Sequence, residues 1–451
     1  MAGELRMDRR RFLGGLGVGG LGLVAACGNR DKARGRGGGG GRSAPAAGAD
    51  GAVARAGAGS GRLAGDSGAG VGADAAARPV AARQVRMFRG NPSHTFYGTG
   101  PVADTLKVKW RYRLGTFTSP AAAHRKEKKW TGTGWTGTAI AVGDRIIVGS
   151  LDSKLYCFEA ATGKVVWRYK AGAMFKSSAC YHDGRVYIGN VDNHLHCVDA
   201  RTGKGIWRFD ARNDLDSSPC VADGKVYVGG ENGYLHCLDP VTGRVIWKAF
   251  LGGLEGPPGS CGVESSPAVA DGRVYASSFS GHLFCYDAAT GKRIWRARTL
   301  GDTDVSPVVS GGRVWTAAEE EAPYLYCFEA KTGKRVWRHS NNQGWWSTPA
   351  VVGDRLFAGG QNRRMYCFHA YSGAVLWEYK TPRPIWSSPA VVDGKVLFGC
   401  YDSHLYNLSA TDGKLLSRIN LGGRVISSPC VEKGHVYVGT ATGWFYGLGP
   451  A

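Results

Sequence analysis

Outside its first 26 residues this 451-residue chain has no apolar run long enough to cross a bilayer, so its body can meet a membrane only through an anchor or through charge. Cys-x-x-Cys and His-x-x-x-His spacings are both absent, which removes the usual zinc-ligand patterns and leaves no metal site legible by motif. No kinase signature is present either. Large apolar side chains are scarce between residues 28 and 86, a Gly-, Ala- and Arg-rich stretch that cannot offset its own ordering entropy and reads as a flexible tether. Acids are outnumbered, 36 against 57 Lys and Arg. What the chain does have is 70 Gly, 14 Trp, 19 Tyr and 15 Phe, tight turns together with a large aromatic core, and that combination predicts an all-β protein.

Residues 1–27 read as an address. Asp8-Arg9-Arg10-Arg11-Phe12-Leu13 resembles the twin-arginine export consensus, and Leu23-Val24-Ala25-Ala26-Cys27 resembles a bacterial lipobox. The two motifs stand in the correct order. They imply an exported protein, with Arg9 and Arg10 in the export signal and Cys27 lipidated at the outer face of the cell membrane. Gly15, Gly17 and Gly20 match a dinucleotide fingerprint by spacing, but no strand precedes them. The tether carries ten basic and four acidic residues, a charge that favours an anionic membrane surface and works with the lipid anchor. Export argues against nucleic acid as the partner of so basic a chain.

From residue 87 to 451 the phrase Thr-Gly-Lys-x-x-Trp recurs with small variation. Its Trp register is 110, 167, 207, 247, 295, 337 and 377, with Ser417 in the next place. A spacing near 40 residues marks a repeat architecture. Within one unit, tight-turn dipeptides at Asp223-Gly224, Asn232-Gly233 and Thr242-Gly243 divide β-rich runs into four antiparallel strands. Seven units are complete. An eighth, from Ile426 to Leu448, lacks its outer strand, which Thr105–Tyr112 can supply, so the prediction is an eight-bladed β-propeller of four-stranded antiparallel blades closed by its N-terminal strand.

The motif Asp-x-x-Thr-Gly-Lys-x-x-Trp, as it stands at Asp199–Trp207 and nearly so at Asp239–Trp247 and Asp287–Trp295, resembles the PQQ-like propeller repeat family. The resemblance implies one of several roles, because that family includes quinoprotein dehydrogenases, BamB-type lipoproteins of outer-membrane assembly and sensor domains. A quinoprotein would bring PQQ and calcium to the central channel. The family's dehydrogenases typically carry a disulfide between adjacent cysteines, and no two cysteines are adjacent here. The reading favoured is therefore a monomeric binding module for an envelope protein or a small ligand, with PQQ-dependent dehydrogenation as the alternative.

Every sizeable insertion falls on the face shared by the connections into the inner strands and between second and third strands. Candidate partner-binding residues there are Arg125, Lys126, Lys128, Lys129 and Trp130 in one insertion, read as exposed, and Glu319, Glu320 and Glu321 in another. One position per blade, next to Ser-Ser-Pro, should line the channel on the same face. Round the ring these include Lys176, Asp216, Glu264, Asp304, Trp346 and Trp386, flanked by Thr136 and Ile426: acids beside a lysine, opposite two indoles, a candidate pocket for a small ligand or a hard cation. The repeating Trp and the cysteines of the third strand are expected to be packing residues.

Overall fold

The computed structural model describes residues 84–119, 128–134, 137–252, 262–319 and 322–451. The calls on Arg9, Arg10, Cys27, Arg125, Lys126, Thr136, Glu320 and Glu321 lie outside them. Among the described residues there is no helix. Eight four-stranded antiparallel sheets form the blades; the first comprises Ile140–Val142, Arg145–Gly149, Lys154–Glu159 and Val165–Lys170, and the seventh ends at Leu415–Asn420. In the eighth, the third strand Trp444–Pro450 takes Leu106–Arg113 as its outer neighbour, from Leu106 opposite Pro450 to Arg113 opposite Trp444. The ring is thus closed by the N-terminal strand. Inner hairpins turn through two residues of positive φ, as at Asp183 (46°) and Gly184 (74°), the geometry that matches strand twist.

Two repeated contacts explain the sequence motif. In seven seams the indole Nε1 of an outer-strand Trp donates to a turn carbonyl of the next blade at 2.9–3.3 Å, beginning with Trp110 to Ala160 and ending with Trp377 to Ala410. The Gly of Thr-Gly in that turn lies on the ring: a Cβ at Gly203 would come within 2.7 Å of Trp167, so the site excludes any side chain. Cysteine recurs for the same reason. Cys157, Cys197, Cys237, Cys285, Cys327 and Cys367 each stand opposite the Trp of their own blade, a small side chain facing a large one. All ten described cysteines are buried and free.

The seventh blade breaks both patterns, and the structure shows why. Asn407 stands opposite Ser417 there. Their side chains donate to the carbonyls of Ala103 and Asp104, where the N-terminal strand enters the ring. An indole would occupy the space that the incoming chain needs.

Inside the ring, the second hydroxyl residue of each Ser-Ser-Pro-like segment accepts a hydrogen bond from the equivalent amide of the preceding blade. Thr138 N donates to Ser178, Ser178 to Ser218, Ser218 to Ser266, and so on to Ser388 and Ser428, at 2.8–3.3 Å. A parallel bridge between Thr138 and Ser428 closes the belt. The hydroxyls satisfy inner-strand amides that have no sheet neighbour on that side.

Residues 84–99 form a plug that touches every blade, although Gln84–Arg86 fall in the stretch that composition assigns to the tether. Val85 O accepts from Ala141 N, Arg86 O from Tyr181 N, Pro92 O from Val269 N and Ser93 O from Val309 N, while Thr99 N donates to Val431 O. Pro92 O also lies 4.0 Å from Cys220 Sγ, in the third blade. Arg89 is 5% exposed. Its guanidinium donates to Pro389 O at 2.5 Å and Pro349 O at 2.8 Å and lies over Tyr97. His94 is neutral: burial lowers it to about 3, and its Nδ1 lies 2.7 Å from Pro307 O. These partners are the central residues of the inner strands and the prolines just before them, while Gln84 and Thr99 reach the hairpin residues Gly143 and Gly434, so the plug fills the channel from its hairpin side.

Candidate functional site: the open mouth of the channel

At the other end the segments leading into the inner strands bring the sequence-predicted ring residues into three groups. Lys176 and Asp216, from adjacent blades and only 2% and 1% exposed, form an ion pair through Asp216 Oδ2. Burial opposes the charge on Lys176, but Asp216 and Glu231 outweigh it and the ammonium is held above its usual range. Oxygens of Asp216, Glu231 and Glu264 lie within 4.8 Å of one another, and so do those of Asp302, Asp304 and Glu319. Glu231 and Asp302 were not predicted. They come from a second-to-third-strand turn and from a position two residues before the ring residue, and both are repeat positions: Glu231 is in register with Glu319, Gln361 and Tyr401, and Asp302 with Asp214.

Trp346 and Trp386 meet with ring centroids 3.9 Å apart at 41°, and Tyr401 lies 4.5 Å beyond Trp386. Trp386 Nε1 donates to Gln361 Oε1 at 2.9 Å, and Arg424 sits over Tyr401. Ile426, 8% exposed, follows round the ring. The mouth is therefore acidic over blades three to five and aromatic over six and seven.

The insertion candidates separate. Lys128–Thr131 pairs with Thr116–Ser119 in a hairpin that leaves Lys129 exposed. Trp130 is not the exposed side chain the sequence suggested: it is 6% exposed, opposite Phe117. Glu319 is likewise no surface loop residue. At 5% exposed it is drawn into the carboxylate group of blade five, its amide donating to Asp302 O.

Asp214, behind Asp216, is half-buried. Burial first, then the charges of Asp216 and Glu231, raise its carboxyl to about 8. An unfolded Asp ionises near pH 4, at roughly 3.9. The native chain therefore keeps a proton that the unfolded chain has lost, and this group makes stability fall as pH rises from about 4 towards 8. Asp214→Asn is expected to flatten that slope, read as urea midpoints across the range; parallel slopes in both proteins would refute the assignment.

With the geometry in hand, a family model described as outer membrane protein assembly factor BamB matches residues 107–339 and 321–450. The chain belongs to this family. No curated protein sequence matches it. Among solved structures, BamB from Moraxella catarrhalis is 20% identical over 76% of this chain and 98% of that one, with a TM-score of 0.58. A europium-containing methanol dehydrogenase is 14% identical over 81% of this chain and 98% of that one, at 0.65. A quinohemoprotein alcohol dehydrogenase from Comamonas testosteroni is 14% identical over 82% and 81%, at 0.64. At these identities the likeness is one of fold.

One of these fold neighbours is a quinohemoprotein. Either carboxylate group of this BamB-family chain offers the oxygen-only donor set that hard cations take. A planar quinone fits poorly, because Trp346 and Trp386 are in contact with each other and leave no parallel slot between them.

Proposed function

We propose that this protein is a lipid-anchored extracytoplasmic binding module that holds an envelope protein, or a small ligand, at the open mouth of its channel. The observation that carries the reading is the asymmetry of the ring: residues 84–99 fill the hairpin side, while the other side carries two carboxylate groups and the Trp346–Trp386 pair. Pockets that combine apolar walls with a few convergent polar groups are the usual binding sites of a fold. Membership of the BamB family supports a partner in envelope assembly, and the motifs at Arg9, Arg10 and Cys27 support export and anchoring.

The test uses the full chain as bait in detergent-solubilised envelopes of its host. One envelope protein is expected to be retained by the native chain and reduced at least tenfold by Lys129→Glu or Trp386→Ala, with PQQ and calcium producing neither quenching of tryptophan fluorescence nor dye reduction. Equal capture by the native chain and both variants would sink the reading. Saturable quenching with dye turnover would replace it with the dehydrogenase.

A further inference from the structure

The basic excess of the propeller lies on the outer strands of its blades. The eight outer strands carry fifteen Lys and Arg against two acids, Asp210 and Glu378. Hairpin-face cations sit instead beside acids of their own turns, as Arg145 does with Asp144 and Arg185 with Asp183, both at 3.7 Å. Four of the fifteen belong to the strand that closes the ring: Lys107, Lys109, Arg111 and Arg113, all exposed. It is eight residues long where the other outer strands have six, and it lies at the free edge of its sheet.

This strand borders a groove of about 650 Å³, a size that accepts several side chains. Its walls are Val108–Arg111, Asn420–Gly422 at the end of blade seven's outer strand, and Trp444 with Tyr446. Arg111 and Arg113 lie over the Trp444 ring at 4.6 and 5.1 Å, so two guanidiniums are held in place at the rim by an aromatic surface. Charge narrows the occupant. A second copy of this chain would bring the same basic edges, and its own tether is ten basic to four acidic; both are repelled. A flat lipid surface does not enter a groove between blades.

We infer that an acidic, extended polypeptide segment docks here, adding a fifth strand to Leu106–Arg113 and seating one large apolar side chain against Trp444. Exposed strand edges recruit extended peptides through backbone hydrogen bonds, and fixed guanidiniums select carboxylates. The inference rests on the protein-binding reading but assigns a surface separate from the channel mouth.

The probe is a fluorescein-labelled nonapeptide of alternating Glu and Val with a central Phe, followed by anisotropy against the purified full chain. Saturable binding is expected. It should weaken at least tenfold with Arg111→Glu, at least threefold with the milder Lys109→Gln, and at least tenfold when alternate peptide amides are N-methylated; replacing Glu by Lys in the peptide should abolish it. Unchanged binding of the N-methylated peptide would overturn strand addition, and so would displacement of the peptide by phosphatidylglycerol vesicles at comparable affinity. Thermal midpoints of the two variants equal to that of the native chain show that the fold is kept. Envelope capture that survives Arg111→Glu but fails with Trp386→Ala would overturn this site and leave the channel-mouth reading standing.

Discussion

A chain begun at residue 100 is expected to lose cooperative folding under conditions where one begun at residue 84 is fully folded. Residues 84–99 supply backbone hydrogen bonds to blades one, two, four, five and eight, and the side chains of Arg89 and Tyr97 reach blades six and seven. Each such bond is worth about 1 kcal/mol net, and burying Met87, Phe88 and Tyr97 adds about 2 kcal/mol for each. A single change isolates the centre of the plug. Arg89→Ala strands the carbonyls of Pro349 and Pro389 in the channel and is expected to cost about 2–4 kcal/mol. Urea unfolding followed by tryptophan fluorescence measures both effects; superimposable curves would show that the segment only rests on the ring.

The second large effect is expected at Lys176. Lys176→Met removes the countercharge of Asp216, which is 1% exposed and shares its surroundings with Glu231 and Glu264. Breaking a buried pair from one side costs about 3–5 kcal/mol, whereas replacing both partners with apolar residues costs far less. Lys176→Met with Asp216→Leu should therefore be more stable than Lys176→Met alone. A double-mutant cycle in urea gives the coupling directly, and additive single effects would mean that the pair is not a unit.

Much of the fold was legible because a propeller repeats its local rules. Turn dipeptides recur, strand lengths are uniform, and Asp-x-x-Thr-Gly-Lys-x-x-Trp encodes both the turn and the indole that lies on the equivalent turn of the next blade. The deviation at Ser417 was visible without its cause, which is the entry of residues 103–104. At the mouth, the register next to Ser-Ser-Pro picked out Lys176, Asp216, Glu264, Asp304, Trp346 and Trp386. Glu231 and Asp302 escaped because only the position next to Ser-Ser-Pro was read as facing the channel, although both stand at repeat positions, in register with Glu319 and Asp214. Trp130 was misread as exposed and Glu319 was assigned to a partner-binding loop, since nothing local distinguishes an inserted residue that reaches solvent from one that folds back.

By itself the sequence determined the blade count, the strand order and the strand that closes the ring, since each follows from periodicity and from short-range turn chemistry written out in every repeat. Only the tertiary structure decided which channel mouth is closed, which carboxylates meet and where the seam leaves a groove. The plug and the groove depend on single, unrepeated segments meeting distant blades, which leave no period in the chain, and the carboxylates meet through side-chain reach between repeat positions that the period alone does not pair.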